Sequence, residues 1–310
     1  MNKLTVSPSP HILSNNSTSN IMFDVIIALF PALFLSIIYF GPRALIVTLV
    51  CIASSILFEW LVRKIMKKSN TIPDLSAVVT GILLAFNLPP AIPLWVAVIG
   101  SFFAIVIVKQ LFGGIGQNFA NPAIAARVFL LVSFGGYMTT WTQPFAYRHA
   151  VDATATATPL VNIDAASTFD LFIGNVPGCL GEVSAIALIV GGIYLVIRKV
   201  INPVTPLVFV GTVFVFTWIL GENPVNQILA GGLMLGAIFM ATDYATTPVT
   251  MKGKIIFALG CGIITTVIRV FGSYPEGVSF AILLMNLLTP LIDKITMVKP
   301  FGMGGARKHA

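Results

Sequence analysis

Charged residues are scarce in this chain. Asp, Glu, Lys and Arg make up 9% of its 310 residues, where a soluble domain carries roughly 25%. So few charges cannot cover a water-facing surface of this size, which excludes a soluble globular domain. Histidine is scarcer still: His11, His149 and His309 all fall in tails or a loop. The cysteines, Cys51, Cys179 and Cys261, stand far apart without a CxxC pair. Neither an iron–sulfur cluster, a zinc site nor a disulfide framework is expected from this chain alone. There is no P-loop and no nucleophile-elbow motif, so ATP hydrolysis and Ser or Cys hydrolase chemistry are not expected. No basic stripe with interleaved aromatics is present, so the net charge of +7 does not read as nucleic-acid binding.

What is present is apolar sequence in long runs. Hydrophobic residues make up 57% of the chain and mean hydropathy is +0.95. Spans are expected near residues 21–40, 44–62, 75–88, 94–108, 121–134, 183–197, 205–220, 225–241, 255–270 and 278–292. Several fall short of the roughly 20 residues that a straight crossing needs. The reading is an all-α integral membrane protein of about ten transmembrane helices, in contact with lipid over most of its surface. The polar stretch 7–20 precedes the first apolar run, so that run is expected to act as an uncleaved anchor. Cys51 and Cys261 lie in apolar runs and read as packing residues of the lipid phase.

Basic residues set the orientation. With ten spans both chain ends share one side. That side carries 14 Lys and Arg, among them Arg63, Lys64, Lys67, Lys68, Lys109, Arg198 and Lys199. The other side carries Arg43, Arg148 and Arg269. Positive residues favour the cytoplasm, which places both termini there, in an inner (cytoplasmic) membrane.

Two halves are expected, offset by roughly 160 residues, in a five-plus-five repeat. Lys109 leads into Phe112-Gly113-Gly114, and Arg269 leads into Phe271-Gly272-Ser273. Each half also has a helix ending in a polar, proline-containing break, Asn87-Leu88-Pro89-Pro90 and Asp243 to Pro248. A pair of such breaks points to a central ligand-lined cavity, because freed backbone groups are tolerated only beside protein, water or ligand. The organisation is a tail at 1–20, a first half at 21–134, a non-cytoplasmic loop at 135–182, a second half at 183–292 and a basic tail at 293–310.

Few residues carry a chemical signal of their own. Arg127 lies inside an apolar span, where its charge costs about 2.5–3.5 kcal/mol on insertion scales; it is expected to face the bundle and meet a partner or an anionic ligand. Asp243 sits at the second break. Asp24, Asp74 and Glu59 read as charges near span ends. The run Gly113-Gly114-Ile115-Gly116-Gln117-Asn118 up to Asn121-Pro122 makes either a tight turn or a close approach to a ligand. The Thr-Ala repeat from Asp152 to Thr158 sits in a loop long enough to be functional.

Four segments together resemble a known family: Ser9-Pro10-His11 through Met22, Gly113 to Ala123, Ala157-Thr158-Pro159-Leu160, and Met240-Ala241-Thr242-Asp243. They are similar to the D subunits of Rnf-type ion-translocating ferredoxin:NAD oxidoreductases and the B subunits of the sodium-translocating NADH:quinone reductase. The resemblance covers nearly the whole chain. It implies a urea-transporter-like fold and FMN joined through its phosphate to a threonine in a Ser/Thr-Gly-Ala-Thr motif. Ala157-Thr158 closes that motif here, while Ala155 and Thr156 replace its first two residues; a register ending on Thr156 stays open, and Thr158 is preferred for the Pro-Leu that follows. Tyr244 stands where the family has Pro. Asp152, Arg127, Gly113, Gly114, Asn121 and Asp243 are candidate neighbours of a flavin. A second, unattached flavin stays open.

The resemblance also implies partners: an iron–sulfur membrane pair, a second subunit with covalent FMN, and NADH-binding and ferredoxin-interacting subunits. The chain would then be one relay of a translocase, with no catalysis on its own. The competing reading is a channel or solute transporter without a redox role. Na⁺ and H⁺ remain equal candidates for the coupling ion.

Overall fold

The computed structural model describes residues 17–148, 158–160, 167–182, 184–272 and 276–297. The regular structure in them is helical. α1 (Thr18–Phe40) and α2 (Pro42–Ile65) meet at Gly41, whose φ of +74° suits a glycine and turns the chain sharply. Ser17 starts α1 by accepting from the Asn20 amide. α3 (Ser76–Phe86) is followed by α4 (Leu94–Phe102), which runs on as a π-helix over Phe103–Gln110. α5 (Pro122–Ser133) opens on an Asn121 cap. Two short helices, α6 (Gly135–Met138) and α7 (Thr168–Ile173), lie in the long loop. The second half holds α8 (Ala185–Ile197), α9 (Val204–Ile219), α10 (Pro224–Leu229), α11 (Leu233–Leu235) with a π-helix at Gly236–Met240, α12 (Met251–Phe271) and α13 (Val278–Thr296).

Four helices, α1, α2, α12 and α13, are long and apolar enough to cross a membrane by themselves, and shorter apolar helices fill the space between them. Large apolar side chains stay exposed along their outer faces, Phe23, Phe30 and Phe34 on α1 and Leu49 and Leu57 on α2 among them. Such a surface is stable only against lipid. The molecule is an integral membrane protein.

Each expected span coincides with helix, but two differ in form. The stretch 75–88 is only an 11-residue helix. The stretch 225–241 is not one helix. It breaks at Ala230-Gly231-Gly232, where Gly231 has φ +67°, and the Arg269 guanidinium bonds the freed carbonyls of Gln227 (2.5 Å) and Ala230 (3.1 Å). Cys51 and Cys261 are wholly buried inside the bundle and do not face lipid.

The packing repeats between the halves. α2 packs on α3 and α4, and α9 packs on α10 and α12. α4 meets α5, and α12 meets α13. Across the halves α1 lies on α8 and α5 on α13. Small residues make the close crossings. A Cβ on Gly81 would fall 2.8 Å from Ile52 Cα, and one on Gly262 would fall 2.5 Å from Thr212 Cβ. A Cβ on Gly191 would strike the Ala28 carbonyl of α1.

The two ends of the bundle are distinct. Ser19 near the start of α1 bonds Pro73 (2.9 Å), and Asp24 holds Tyr194 and Arg198 at the end of α8. The Thr250–Thr296 bond (2.7 Å) joins the start of α12 to the end of α13. Tyr244 bonds the Val200 carbonyl, which ties that corner to the end of α8. The first and last long helices therefore begin and end at one end, where the basic loops lie. At the other end of α1 the long loop packs down: Phe145 donates to the Tyr39 carbonyl (2.7 Å), and Tyr147 to that of Ile38 (3.0 Å).

Gly191→Val should drive α1 and α8 apart, costing about 1–3 kcal/mol by overpacking. Thermal unfolding in detergent checks this; an unchanged midpoint would mean that the crossing yields freely.

Candidate functional site

The site begins where α3 stops. Asn87 follows its last helical residue, and the prolines at 89 and 90 prevent the helix from resuming. Its amide donates back to the Leu83 carbonyl (2.7 Å), capping the end. Its side-chain oxygen accepts from Arg127 (2.6 Å), which reaches over from α5. Arg127 is buried, as a charge within an apolar span requires. Two carboxylates neutralise it, Glu276 in direct contact and Glu182 at 3.4 Å. Glu182 also takes the Cys179 amide (3.2 Å), and the Cys179 thiol donates to the Asn87 carbonyl (3.4 Å). Gly232, at the break in the second half, borders the same cluster; a Cβ there would meet Glu276, with Arg127 Nη1 at 3.3 Å.

A second set of contacts joins the two halves. Asn121 caps α5 through its side-chain oxygen and donates to the Met240 carbonyl at 3.5 Å. In the orientation that satisfies its amide, Asn286 of α13 accepts from the Asn121 N–H and donates to the Thr246 carbonyl, both 3.1 Å. The end of α3, the start of α5 and the end of the second π-helix thus meet at one polar junction within an apolar core.

A cavity of about 110 Å³ opens on the basic-end side of that junction. Leu83, Phe239 and Leu195 give it apolar walls, and Ser76, Thr80, Asn118, Asn121, Thr242 and Asp243 give it polar edges. Only the second break lines it. The first break supports the Arg127 cluster instead, so the pair serves two places and not one shared cavity. Asp243 is held by the Ala245 amide (3.4 Å) and the Thr246 hydroxyl (3.1 Å). Gly113, Gly114 and Gly116 all have positive φ, so the glycine run is a tight turn; Gly116 and Ile115 also reach the cavity wall.

Thr158 is buried, 5% exposed, and its hydroxyl accepts the Leu160 amide at 3.2 Å. Leu160 packs with Leu171, Val176, Leu229 and Ala230 in a small apolar cluster of its own. It lies against Gly231, where a Cβ would fall 2.7 Å from Leu160 and 3.2 Å from Arg269. Among the described residues Arg269 forms no ion pair, and its Nε is buried without a partner. Arg269 thus comes near the segment that holds Thr158 by way of Leu160 and Gly231, and a guanidinium can pair with a phosphate group. Asp152 and Thr156 lie outside the described residues.

Sequence reasoning found Arg127 and the breaks but missed Glu182 and Glu276. It also placed Lys109 at the end of a span and counted it only among the charges of the basic side. Lys109 sits in the first π-helix, 3% exposed, paired with the fully buried Glu59 at 2.7 Å and bonded to Ser76 at 2.6 Å. The signal was there: a lysine ending an apolar run with no other charge beside it.

Residues 5–302 match the NQR2, RnfD, RnfE family. The chain belongs to this family. The D subunit of the Na⁺-translocating ferredoxin:NAD⁺ oxidoreductase complex of Acetobacterium woodii is 50% identical, over 99% of this chain and 98% of that protein. The D subunit of a proton-translocating ferredoxin:NAD⁺ oxidoreductase complex of Clostridium ljungdahlii is 45% identical, over 97% of each. The D subunit of an ion-translocating oxidoreductase complex of Actinobacillus succinogenes is 34% identical, over 98% and 99%. Members of the NQR2, RnfD, RnfE family thus align with this chain from end to end.

Arg127→Ala should be strongly destabilising, by about 3–5 kcal/mol, because it strands two buried carboxylates. Combining it with Glu182→Gln and Glu276→Gln should restore part of the loss. Unfolding midpoints of these variants and the wild type in detergent measure this; equal midpoints for Arg127→Ala and wild type would show the carboxylates to be protonated or solvated.

Proposed function

We propose that this chain is the membrane electron-transfer subunit of an ion-translocating ferredoxin:NAD⁺ oxidoreductase, with FMN attached through its phosphate to Thr158. The observation that supports the attachment is the buried Thr158 hydroxyl bonded to the Leu160 amide, with Leu160 packed on Gly231, where Arg269, which forms no ion pair among the described residues, also comes close. Thr158 would form the ester, Arg269 would balance the phosphate charge, and Leu160 would anchor the attachment loop in its apolar cluster. A flavin so held supplies one- or two-electron transfer between carriers. The small-residue break at Gly231 and Gly232 lets the loop and Arg269 approach the chain closely.

Ten crossings in two five-helix halves are the topology this reading uses, and the repeated packing of α2 with α3 and α4 and of α9 with α10 and α12 supports it. The excess of Lys and Arg at the end where the long helices start and finish makes that end cytoplasmic. Thr158 then belongs to the opposite side of an inner membrane. Within the complex the chain works beside iron–sulfur subunits, a second covalent flavoprotein and the subunits that meet NADH and ferredoxin. The cavity at the cytoplasmic end has apolar walls and polar edges of the kind that an unattached flavin meets, and is assigned to a second flavin. A passive channel, the competing function, has no use for an attached flavin.

Thr158→Ala should remove the fluorescent flavin band and the flavin-phosphate peptide, abolish ferredoxin-dependent NAD⁺ reduction and leave assembly intact. Thr156→Ala should change none of these. An adduct retained in the Thr158 variant would sink the assignment. Separately, Ala245→Trp, at the cavity wall, should cut the flavin released by acid while sparing the covalent one. Undiminished acid-released flavin would exclude the cavity.

A further inference from the structure

A cation without an ion-pair partner among the described residues lies at the basic end, on a different helix from Arg269. Arg63, near the end of α2, makes no ion pair and no side-chain hydrogen bond among the described residues, and its Nε is buried. Gln110 closes the first π-helix, is 1% exposed, and its Nε2 also lacks a partner. Both heads converge on Gly114. A Cβ there would fall 2.7 Å from Arg63 Nη2 and 3.9 Å from Gln110 Oε1. Gly113, Gly114 and Gly116 have φ of +126°, +107° and +83°, so the turn follows a course that L side chains rarely adopt and puts no side chain between the two heads.

The carboxylate one helical turn before Arg63 is committed elsewhere. Glu59 accepts from Lys109 (2.7 Å) on one oxygen and from Thr71 (2.5 Å) on the other. Glu59 and Lys109 cancel, and Arg63 remains as an uncompensated charge. Lys64, Lys67 and Lys68 follow it in the chain and add to the positive field. Leu111 and Phe112, exposed beside the turn, put it at an apolar surface.

We infer that Arg63, Gln110 and the turn at residues 113–116 form a binding site for a phosphate-class oxyanion. The guanidinium offers a planar fork of donors matched to phosphate oxygens, the Gln110 amide adds one donor, and the glycine turn lets the anion come close to the backbone. The phosphate belongs either to an anionic phospholipid headgroup or to a soluble phosphate compound. The site stands apart from Thr158 and does not rest on the flavin assignment.

Hydrogen–deuterium exchange of segment 110–118, in the intact complex held in phosphatidylcholine nanodiscs, tests this. The two probes are phosphatidylglycerol mixed into the discs and inorganic phosphate added to the buffer. One of them should slow exchange of the turn about tenfold. Protection by phosphatidylglycerol alone identifies a headgroup site, and protection by inorganic phosphate identifies a soluble ligand. Arg63→Gln should lose the protection, Gln110→Met should weaken it, and Arg63→Lys should keep part of it. No protection by either probe, or equal protection in wild type and Arg63→Gln, would overturn the site.

Discussion

Every helix that stops inside a bilayer leaves carbonyls and amides that water cannot reach, and this structure is organised around meeting that demand. α3 ends at Asn87 and the second half breaks at Gly231. Each break is met by an arginine that arrives from another helix: Arg127 takes the Asn87 side chain, and Arg269 takes the carbonyls of Gln227 and Ala230. Unsatisfied backbone groups in hydrocarbon cost several kcal/mol each; at the first break the freed carbonyls go to the Asn87 amide, the Leu180 and Gly181 N–H groups and the Cys179 thiol, and at the second to Arg269. The arginines in turn need compensation, which Glu182 and Glu276 give to Arg127.

That chain of needs explains why polar residues cluster where the halves meet. Asn121, Asn286 and Met240 complete the junction, and the small residues at the α1–α8 and α9–α12 crossings let the helices come close enough to build it. The same logic holds at the basic end, where Lys109 could be buried only with Glu59 against it. Both halves also carry a π-helical stretch directly before the chain leaves the bundle. Lys109 lies within the first of them and faces α2 and α3 through Glu59 and Ser76.

The apolar runs made the class and the helical segments legible, because lipid contact demands uniform hydrophobicity over a whole segment. Arg127 was legible for the same reason, as a charge in a segment that otherwise excludes them. Its partners were not. Glu182 and Glu276 lie in a loop and at the start of α13, far from Arg127 in the chain, and nothing in their own neighbourhoods distinguishes them from interfacial charges. The break at Gly231 was hidden too: a Gly-Gly pair in an apolar run also fits a tightly packed continuous helix, and only the position of Arg269 decides between the two. The glycine run at 113–116 left a tight turn and a close approach to a ligand open; its positive φ angles make it a turn, and a turn of that shape still lets a ligand reach the backbone.

On the proposed reading, the two ends of the bundle do different work, and the junction lies between them. Electrons passing from the cytoplasmic cavity to Thr158 would cross a region with one buried guanidinium and two carboxylates. Adding an electron at either end changes the field on that cluster, and in a low-dielectric interior such a change is felt strongly. A cation or proton arriving at Glu182 or Glu276 would balance it. The relatives named for Na⁺ and for protons differ from this chain to nearly the same extent, 50% and 45% identical. Similarity to those two relatives therefore does not choose between the ions for this chain. The choice turns on the oxygens that a site offers, since a bare metal cation needs several around it whereas a proton needs one carboxylate.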